Sequence, residues 1–355
     1  MQRKVLIAIA VVAAMALVPL GCSSDLPEEP GASAQGSAPP SAAEADRDAP
    51  VPAEPAASPP PEEEPDYDEP LPPDAPELQV TYEYADWSLP FLVAMKKGYF
   101  KKRGIDIKPM KVGDLPALRF SDMDIINGHA FSLMKESGAT PRMVRFIHPF
   151  LYTKDGPMIT GFLAKRAAGI TKWSDFQGRT GIRLALISLG DFGLIEKVFE
   201  REGVDTEGIQ CTCGGDPVKN FEEQEDIVGV YGWGGGIAEL LERRPDDYIL
   251  LGKNLRAEVL ADPYFVACTY INVGSSRTKP EVIAKYIEAI DEAIDYIRAN
   301  PERALAVVPK YMDFTPERAA KLSLYHFHKS TEPIDFDALQ TCIEHDVRAY
   351  LYGSP

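Results

Sequence analysis

The sequence predicts an α/β fold arranged as two lobes with mainly parallel sheets. Strand-like runs alternate with helical runs from about residue 79 to the end of the chain, which is typical of βαβ units. This part holds roughly 275 residues, which is somewhat long for a single hydrophobic core. We therefore expect two α/β lobes.

Residues 1–22 are predicted to be a signal peptide. Two basic residues, Arg3 and Lys4, precede an apolar run from Val5 to Leu20, and a glycine and Cys22 follow it. A charged start, an apolar centre and a small residue before the cleavage point make up a secretory signal. Because the run is short for a membrane span, we expect export and not a transmembrane anchor.

Residues 23–78 are predicted to be a disordered linker. This segment holds fifteen of the chain's 31 prolines, and fifteen acidic residues against the single Arg47. Such a composition cannot bury enough apolar surface to offset the entropy of ordering. In a polyproline-like conformation the segment would reach on the order of 100 Å, so we interpret it as a spacer.

The linker also accounts for most of the charge. The whole chain carries a formal net charge of −17, to which the linker contributes −14 and the two basic residues of the signal +2. The remaining part is therefore only mildly acidic, near −5, and shows no basic stripe. These features argue against nucleic acid as a partner.

The predicted first lobe opens with a strand, a loop and a helix. After the strand-like run Leu78 to Tyr84, Trp87 lies in a short loop and Pro90 stands where a helix can begin. Gly98 lies near the expected helix end. Gly104 marks a turn before the next strand, since aliphatic residues alternate after it.

The clearest predicted helix runs from Pro280 to Ala299. Proline in the first turn and Glu281 beside it favour an N-terminus, and Thr278 can cap it. Five isoleucines recur at steps of three and four residues and form one apolar stripe: Ile283, Ile287, Ile290, Ile294 and Ile297. This stripe predicts core packing.

Three further junctions end a predicted strand and are candidates for ligand contacts. In open α/β sheets ligands lie beyond the carboxyl ends of strands, where helix N-termini present free N–H groups. The junctions are Asn127 to His129, Ser188 to Phe192, and Tyr231 to Gly236. In the second, Ser188 or Asp191 can alternatively cap the next helix. The third contains a glycine cluster without a following Lys-Ser/Thr, so it is not a P-loop.

Several short motifs resemble one known family. Gly98-Tyr99-Phe100, Gly104-Ile105-Asp106, the run Ile170 to Ile182 and the turn Asn300 to Ala304 resemble, in order and spacing, segments of ABC-importer periplasmic solute-binding proteins. The branch is the nitrate, sulfonate, taurine and thiamine-pyrimidine (SsuA/THI5-like) one. Within it, Phe176 and Gln177 replace a usual Leu and Lys.

The resemblance implies a two-lobe periplasmic-binding-protein fold, type II-like, with a central cleft and two crossover strands. Lobe one would comprise residues 79–165 plus 262–355, and lobe two residues 166–261. Hinge motion near Phe162 and Val266 would close the lobes around a ligand.

The resemblance also implies a set of ligand-binding residues: Trp87, Pro90, Gly128, His129, Ser188, Asp191 and Trp233. Trp87 and Trp233 would hold a flat ligand from both lobes. None of the candidate loops contains Arg or Lys, and Arg183 in a preceding strand is the nearest cation. Because buried anions need paired charge, a neutral or cationic ring-bearing solute is expected.

The function implied is an extracytoplasmic solute-binding protein of an ABC importer, with a small solute and an inner-membrane permease as partners. Cys22 resembles a lipidation site of bacterial lipoproteins, so a periplasmic or cell-surface monomer held by a lipid anchor is expected. Ordinary secretion is the alternative for this residue. No enzymatic activity and no cofactor are expected.

Two other functions remain open. A cytosolic pyrimidine-forming branch of the same fold uses histidine and a cysteine-rich loop, and Cys211-Thr212-Cys213 with His129 resembles that set faintly. A protein that presents its ligand to a sensor kinase is the other alternative.

The remaining cysteines and histidines give no firm site. Cys211, Cys213, Cys268 and Cys342 could form disulfides in an oxidising compartment, or could be small buried hydrophobes. His326, His328 and His345 carry imidazole side chains of the kind that bind metal ions. Because His326 and His328 are expected on a surface helix, no metal site is predicted.

Overall fold

The structure, a computed structural model, describes residues 67–83, 85–111, 123–129, 144–188, 190–311 and 315–352. These residues belong to one compact unit. The predicted signal peptide, Cys22 and most of the predicted linker lie outside them. Within the described residues, no helix combines the length and the apolarity that a membrane crossing requires.

Strands of the described residues are numbered in chain order: β1 (Glu77–Tyr82), β2 (Asp106–Lys111), β3 (Ile125–His129), β4 (Val144–Tyr152), β5 (Thr160–Lys165), β6 (Ile182–Leu186), β7 (Ile209–Cys213), β8 (Ile227–Trp233), β9 (Tyr248–Lys253), β10 (Tyr264–Asn272) and β11 (His326–Phe327).

The α-helices of the same residues are α1 (Leu89–Lys96), α2 (Tyr99–Lys102), α3 (Gly190–Arg201), α4 (Pro217–Glu223), α5 (Gly234–Arg243), α6 (Leu255–Val259), α7 (Val273–Thr278), α8 (Pro280–Ala299), α9 (Pro301–Leu305), α10 (Val308–Tyr311), α11 (Pro316–Ala320) and α12 (Phe336–Tyr352). Three 3₁₀ turns span Asp86–Ser88, Arg166–Ala168 and Trp173–Phe176.

The strands form two sheets, which confirms the two-lobe α/β prediction. The first sheet has the order β11-β4-β10-β3-β1-β2, and the second has the order β7-β6-β8-β5-β9. Both sheets are mixed, although mainly parallel sheets were expected. β1 pairs in parallel with β2 and β3, and β6 with β7 and β8. The strands entering from the other sheet, β10 and β5, are antiparallel to both neighbours.

The structure differs from the prediction at the boundary between the lobes and at the end of the linker. β5 pairs with β8 and β9 in the second sheet, whereas the sequence placed residues up to 165 in lobe one. The end of the predicted linker is part of the fold. The Tyr67 N–H donates to the Lys97 carbonyl at 3.1 Å, and Asp68 pairs with Lys101 at 2.7 Å.

Gly98 makes this docking possible. Its φ is +71°, and a Cβ there would lie 2.0 Å from the Tyr67 carbonyl oxygen. Only glycine adopts this conformation at no steric cost and leaves room for the approaching backbone. The Gly-Tyr-Phe motif therefore ends α1 and also allows the segment before β1 to pack against it.

The long helix has the predicted bounds, Pro280–Ala299. Four of the five striped isoleucines are buried, together with Tyr286, in the core of the first lobe. The cap differs from the prediction because the Thr278 hydroxyl donates to the Gly274 carbonyl at 3.1 Å. Lys279 occupies the N-cap position without a side-chain cap.

Two connections join the sheets, and one side chain ties them together. They follow β4 and β9, so the predicted hinge residues Phe162 and Val266 lie inside strands. Asn254 is fully buried. Its amide donates to the carbonyls of Thr153 and Pro157, both at 2.8 Å. Its oxygen accepts from the N–H groups of Ile159 and Thr160 at 2.9 and 3.2 Å.

Candidate functional site

Side chains from both sheets meet in an aromatic cluster of Trp87, His129, Trp233 and Tyr325. The Trp87 ring centroid lies 5.6 Å from that of Trp233, 6.4 Å from His129 and 6.5 Å from Tyr325. Trp87 precedes α1 beside the first sheet, and Trp233 ends β8 in the second. The two predicted tryptophans are thus brought together. Because their rings touch, a ligand between them requires the lobes to separate.

Glu83 fixes the first half of this cluster. Its Oε2 accepts from the Trp87 indole N–H at 2.7 Å and from the His129 backbone N–H at 2.9 Å. One carboxylate therefore orients two of the predicted site residues. The sequence analysis missed Glu83, which directly follows β1 and was read as part of a strand.

Asp86 has a perturbed acidity beside the aromatic cluster. Burial raises the pKa of its carboxyl from 3.8 to about 6, and a hydrogen bond from Tyr325 opposes this rise without cancelling it. The Tyr325 hydroxyl lies 3.3 Å from Asp86 Oδ1. A carboxyl with this pKa can hold or release a proton near neutral pH.

His129 shows the opposite perturbation. Burial and the positive charge of Arg256 lower the pKa of His129 from 6.5 to about 4, although Asp191 opposes the change. Its imidazole is therefore neutral at pH 7. The predicted loop here is wrong, because β3 extends through His129. Gly128 pairs with Cys268, and His129 with Ala267, in the antiparallel ladder to β10.

Ser188 and Asp191 form a local cap that also anchors a buried ion pair. Asp191 Oδ2 accepts from the Ser188 N–H and hydroxyl, both at 2.9 Å. Its Oδ1 accepts from Arg256 Nη2 at 2.6 Å and Nε at 3.1 Å. Asp191 is fully buried and Arg256 is 7% exposed. The candidate loops contain no Arg or Lys, as the sequence shows, but Arg256 of α6 pairs with Asp191 in the structure and was not foreseen.

Tyrosines surround this ion pair. The Arg256 guanidinium lies 5.4 Å from the Tyr264 ring centroid, and the Tyr231 hydroxyl donates to Thr160 at 3.0 Å. The buried hydroxyl of Tyr152 has no hydrogen-bond partner among the described residues. The positive charge of Arg256 lowers the pKa of His129. The ion pair therefore acts electrostatically on the aromatic cluster.

Two predicted features are structural. Pro90 is buried in the first turn of α1. In the glycine cluster, a Cβ on Gly234 would lie 2.0 Å from the Met158 carbonyl oxygen, and the Gly234 N–H donates to the Ile159 carbonyl at 2.8 Å. That glycine therefore serves close packing against the connection before β5.

All four described cysteines are free thiols. Cys211 and Cys213 lie on β7, the outer strand of the second sheet, whereas His129 lies in the first. Burial raises the pKa of Cys211 to about 12 and also raises that of Cys213. Their thiols therefore stay protonated at neutral pH and are weak nucleophiles.

Comparisons with known proteins give two consistent results, although no protein-family model matches the chain. A 4-amino-5-hydroxymethyl-2-methylpyrimidine phosphate synthase of Saccharomyces cerevisiae, THI11, is 26% identical over 267 residues, which cover 70% of this chain and 74% of the yeast protein. The synthase of Candida albicans is 25% identical over 269 residues, with the same coverage.

The fold comparison gives the periplasmic aliphatic sulphonate-binding protein SsuA of Escherichia coli, with a TM-score of 0.57 and 14% identity. It covers 77% of this chain and 86% of SsuA. The chain is thus similar in sequence to THI5-type pyrimidine synthases and in fold to SsuA. Its fold is that of the periplasmic binding proteins.

Similarity to the synthases corrects one expectation. No enzymatic activity was expected from the sequence, but the curated relatives are named as synthases. That expectation is therefore wrong. The sequence had pointed to the synthases through Cys211-Thr212-Cys213 together with His129, whereas the structure leaves the two cysteines on β7 and brings His129 into the aromatic cluster.

Proposed function

We propose that this SsuA/THI5-like chain is an enzyme of the pyrimidine-synthase type, acting on a pyrimidine-like ring between its two lobes. The observation that carries the proposal is Asp86, a carboxyl with a pKa of about 6 beside an aromatic cluster supplied by both sheets. Strongly perturbed acidity in a cleft is a mark of catalytic sites. The synthase relatives support the same reaction class.

In this proposal the aromatic cluster binds the pyrimidine ring, and Asp86 and His129 act on its polar atoms. Trp87 and Trp233 offer flat apolar faces, and one stacked base is worth about 1–3 kcal/mol. Asp86 transfers a proton near neutral pH, because its pKa lies close to the working range. Neutral His129 contributes its imidazole ring to the site beside Trp87.

A binding experiment tests the ring site. The chain contains three tryptophans, and the third, Trp173, packs 4.6 Å from Phe162 in the second lobe. We expect 4-amino-5-hydroxymethyl-2-methylpyrimidine to quench fluorescence of the wild-type chain and of Trp173→Phe. In Trp233→Ala its affinity should fall about tenfold or more. Equal affinity in Trp233→Ala would place the ring elsewhere.

Turnover is tested separately. The full chain is incubated with an extract of yeast lacking its own synthase, and new pyrimidine phosphate is measured by mass spectrometry. Wild type should form product, while Asp86→Asn should bind the pyrimidine but form at least about a hundredfold less product, as expected for loss of a general acid–base group. Equal product from both would exclude Asp86 as the proton-transfer residue.

A second candidate is a solute-binding protein of an ABC importer. Two observations favour it: the apolar N-terminal segment that ends in Gly21-Cys22, and the SsuA-like fold. In this case the chain is held at the membrane by lipid on Cys22 and delivers its ligand to a permease. Labelling with radioactive palmitate should then mark the wild-type chain and fail in Cys22→Ser. Pyrimidine binding without product would favour this candidate.

A further inference from the structure

Two histidines and a glutamate meet at the edge of the first sheet. His326 lies in β11, the edge strand beside β4, and the His328 N–H continues this pairing by donating to the Pro149 carbonyl at 3.1 Å. The sequence analysis expected a helix here. In an extended chain, residues two apart point to the same side, so the two imidazoles are neighbours with centroids 5.6 Å apart.

Glu332 faces both rings from the following turn. Its Oε2 lies 3.9 Å from His326 Nε2 and 3.7 Å from His328 Nε2. These distances are too long for hydrogen bonds. All three potential ligand atoms lie within 4.8 Å of one another. In addition, His328 Nδ1 is buried without a hydrogen-bond partner among the described residues. The protein therefore leaves ring nitrogens of this cluster without a structural role.

We propose that His326, His328 and Glu332 form a binding site for a divalent transition-metal ion such as Ni²⁺ or Zn²⁺. Imidazole nitrogens with one carboxylate suit these ions better than Ca²⁺ or Mg²⁺. Ligand bonds of about 2.0–2.2 Å place ligand atoms about 3.3 Å apart in a tetrahedral site. The two distances from Glu332 to the imidazoles, 3.7 and 3.9 Å, need to shrink by about half an ångström. The two imidazole ligand atoms, which lie within 4.8 Å of each other, need to approach by at most about 1.5 Å.

The surroundings orient the glutamate and also limit the affinity. Arg298 donates to both carboxylate oxygens, at 2.6 and 2.9 Å, and to the Phe327 carbonyl at 2.7 Å. The Lys329 N–H donates to Oε2 at 3.0 Å. Such partners hold a ligand in position, as outer-shell groups do in metal sites. An incoming ion replaces the Lys329 hydrogen bond and experiences repulsion from Arg298.

The exposure of the three side chains allows an ion to enter. The His326 side chain is 53% exposed, Glu332 29% and His328 12%. A bound ion can therefore reach the cluster from solvent and keep water ligands.

Calorimetric titration of the untagged full chain with Ni²⁺ tests the site. We expect one ion per chain in the wild type and an affinity at least about tenfold weaker in His326→Ala, since even outer-shell partners are worth 10–100-fold. His326 is exposed, so its loss should leave the fold intact, which circular dichroism checks. His345→Ala, on α12 and outside the cluster, is the matched control and should bind like wild type.

A spectroscopic readout keeps the test independent of folding. Cu²⁺ bound to the wild type should show electron paramagnetic resonance splitting from two imidazole nitrogens, and from one in His326→Ala. Absence of Ni²⁺ binding by the folded wild-type chain would overturn the proposal. So would equal affinity in His326→Ala, or loss of affinity in His345→Ala alone.

Discussion

Asp86 and Asp191 are two carboxyl groups of the candidate site. They differ in whether a cation pairs with them. Asp191 is fully buried and has Arg256 at 2.6 Å in addition to two donors from Ser188. Asp86 has a tyrosine hydroxyl at 3.3 Å and no ion pair among the described residues. The Asp191 carboxylate joins the start of α3 to Arg256 of α6, whereas the Asp86 carboxyl has a pKa of about 6.

Of these two carboxyl groups, the one without a cation is the better candidate for a functional role. A buried charge that is paired and hydrogen-bonded is a structural element, even when it lies in a predicted ligand loop. A carboxyl without a cation is unfavourable for stability at neutral pH and persists where chemistry needs it. We therefore place Asp191 in the framework of the site and Asp86 in its chemistry.

The largest effect on stability is expected when the Asp191–Arg256 ion pair is broken. Arg256→Ala leaves Asp191 buried without a cation, and the free energy of unfolding should fall by about 3–5 kcal/mol. Urea denaturation measures it. The matched control is Arg201→Ala, which removes the more exposed ion pair to Glu258 in the same lobe and should cost at most about 1 kcal/mol. A similar loss in both variants would mean that Asp191 does not depend on its partner.

A smaller effect of opposite sign is expected at Asp86. Its folded pKa of about 6 exceeds the ordinary 3.8, so the folded chain keeps a proton that the unfolded chain has released. This group therefore lowers stability as the pH rises from about 4 to 6. Asp86→Asn should raise the free energy of unfolding by about 1–3 kcal/mol at pH 8, and by nearly nothing at pH 4.

Urea denaturation of wild type and Asp86→Asn at the two pH values measures this difference. His129 acts in the other direction, because its lowered pKa of about 4 makes stability rise with pH up to about 6.5. It is present in both proteins, so its contribution cancels. A gain at pH 4 equal to that at pH 8 would show that Asp86 is not ionised at neutral pH.

The smallest expected effect is on the pKa of Asp86 when its hydrogen-bond donor Tyr325 is replaced. Its hydroxyl is the side-chain donor that lowers the Asp86 pKa. Tyr325→Phe removes that donor and should raise the carboxyl pKa further, by up to about one pH unit. Carbon-13 NMR titration of the Asp86 carboxyl measures the change. Tyr231→Phe is the control, since that hydroxyl donates to Thr160; an equal change in both would assign the effect to general loosening.

Local features were predicted well from the sequence. The helix Pro280–Ala299 has the predicted bounds because proline, the isoleucine stripe and Asn300 are all local signals. The strand predicted to end before the junction at Ser188 is β6, Ile182–Leu186.

Long-range pairing was not predictable in the same way. Arg256 lies 65 residues from Asp191, and nothing local marks a cation that enters a site from a five-residue helix. Tyr325 is 239 residues from Asp86. The histidines of β11 were assigned to a helix because a strand this short has no periodicity to detect. These residues become visible only when the sheets are assembled.

Asn254 carries a mechanical consequence. It bonds four backbone groups between the end of β4 and the start of β5, and it begins the connection from β9 to β10, so its amide joins the two connections. If the sheets separate to admit a ligand between Trp87 and Trp233, we expect both connections to move together about this buried residue. A side chain that touches neither tryptophan would then guide their separation.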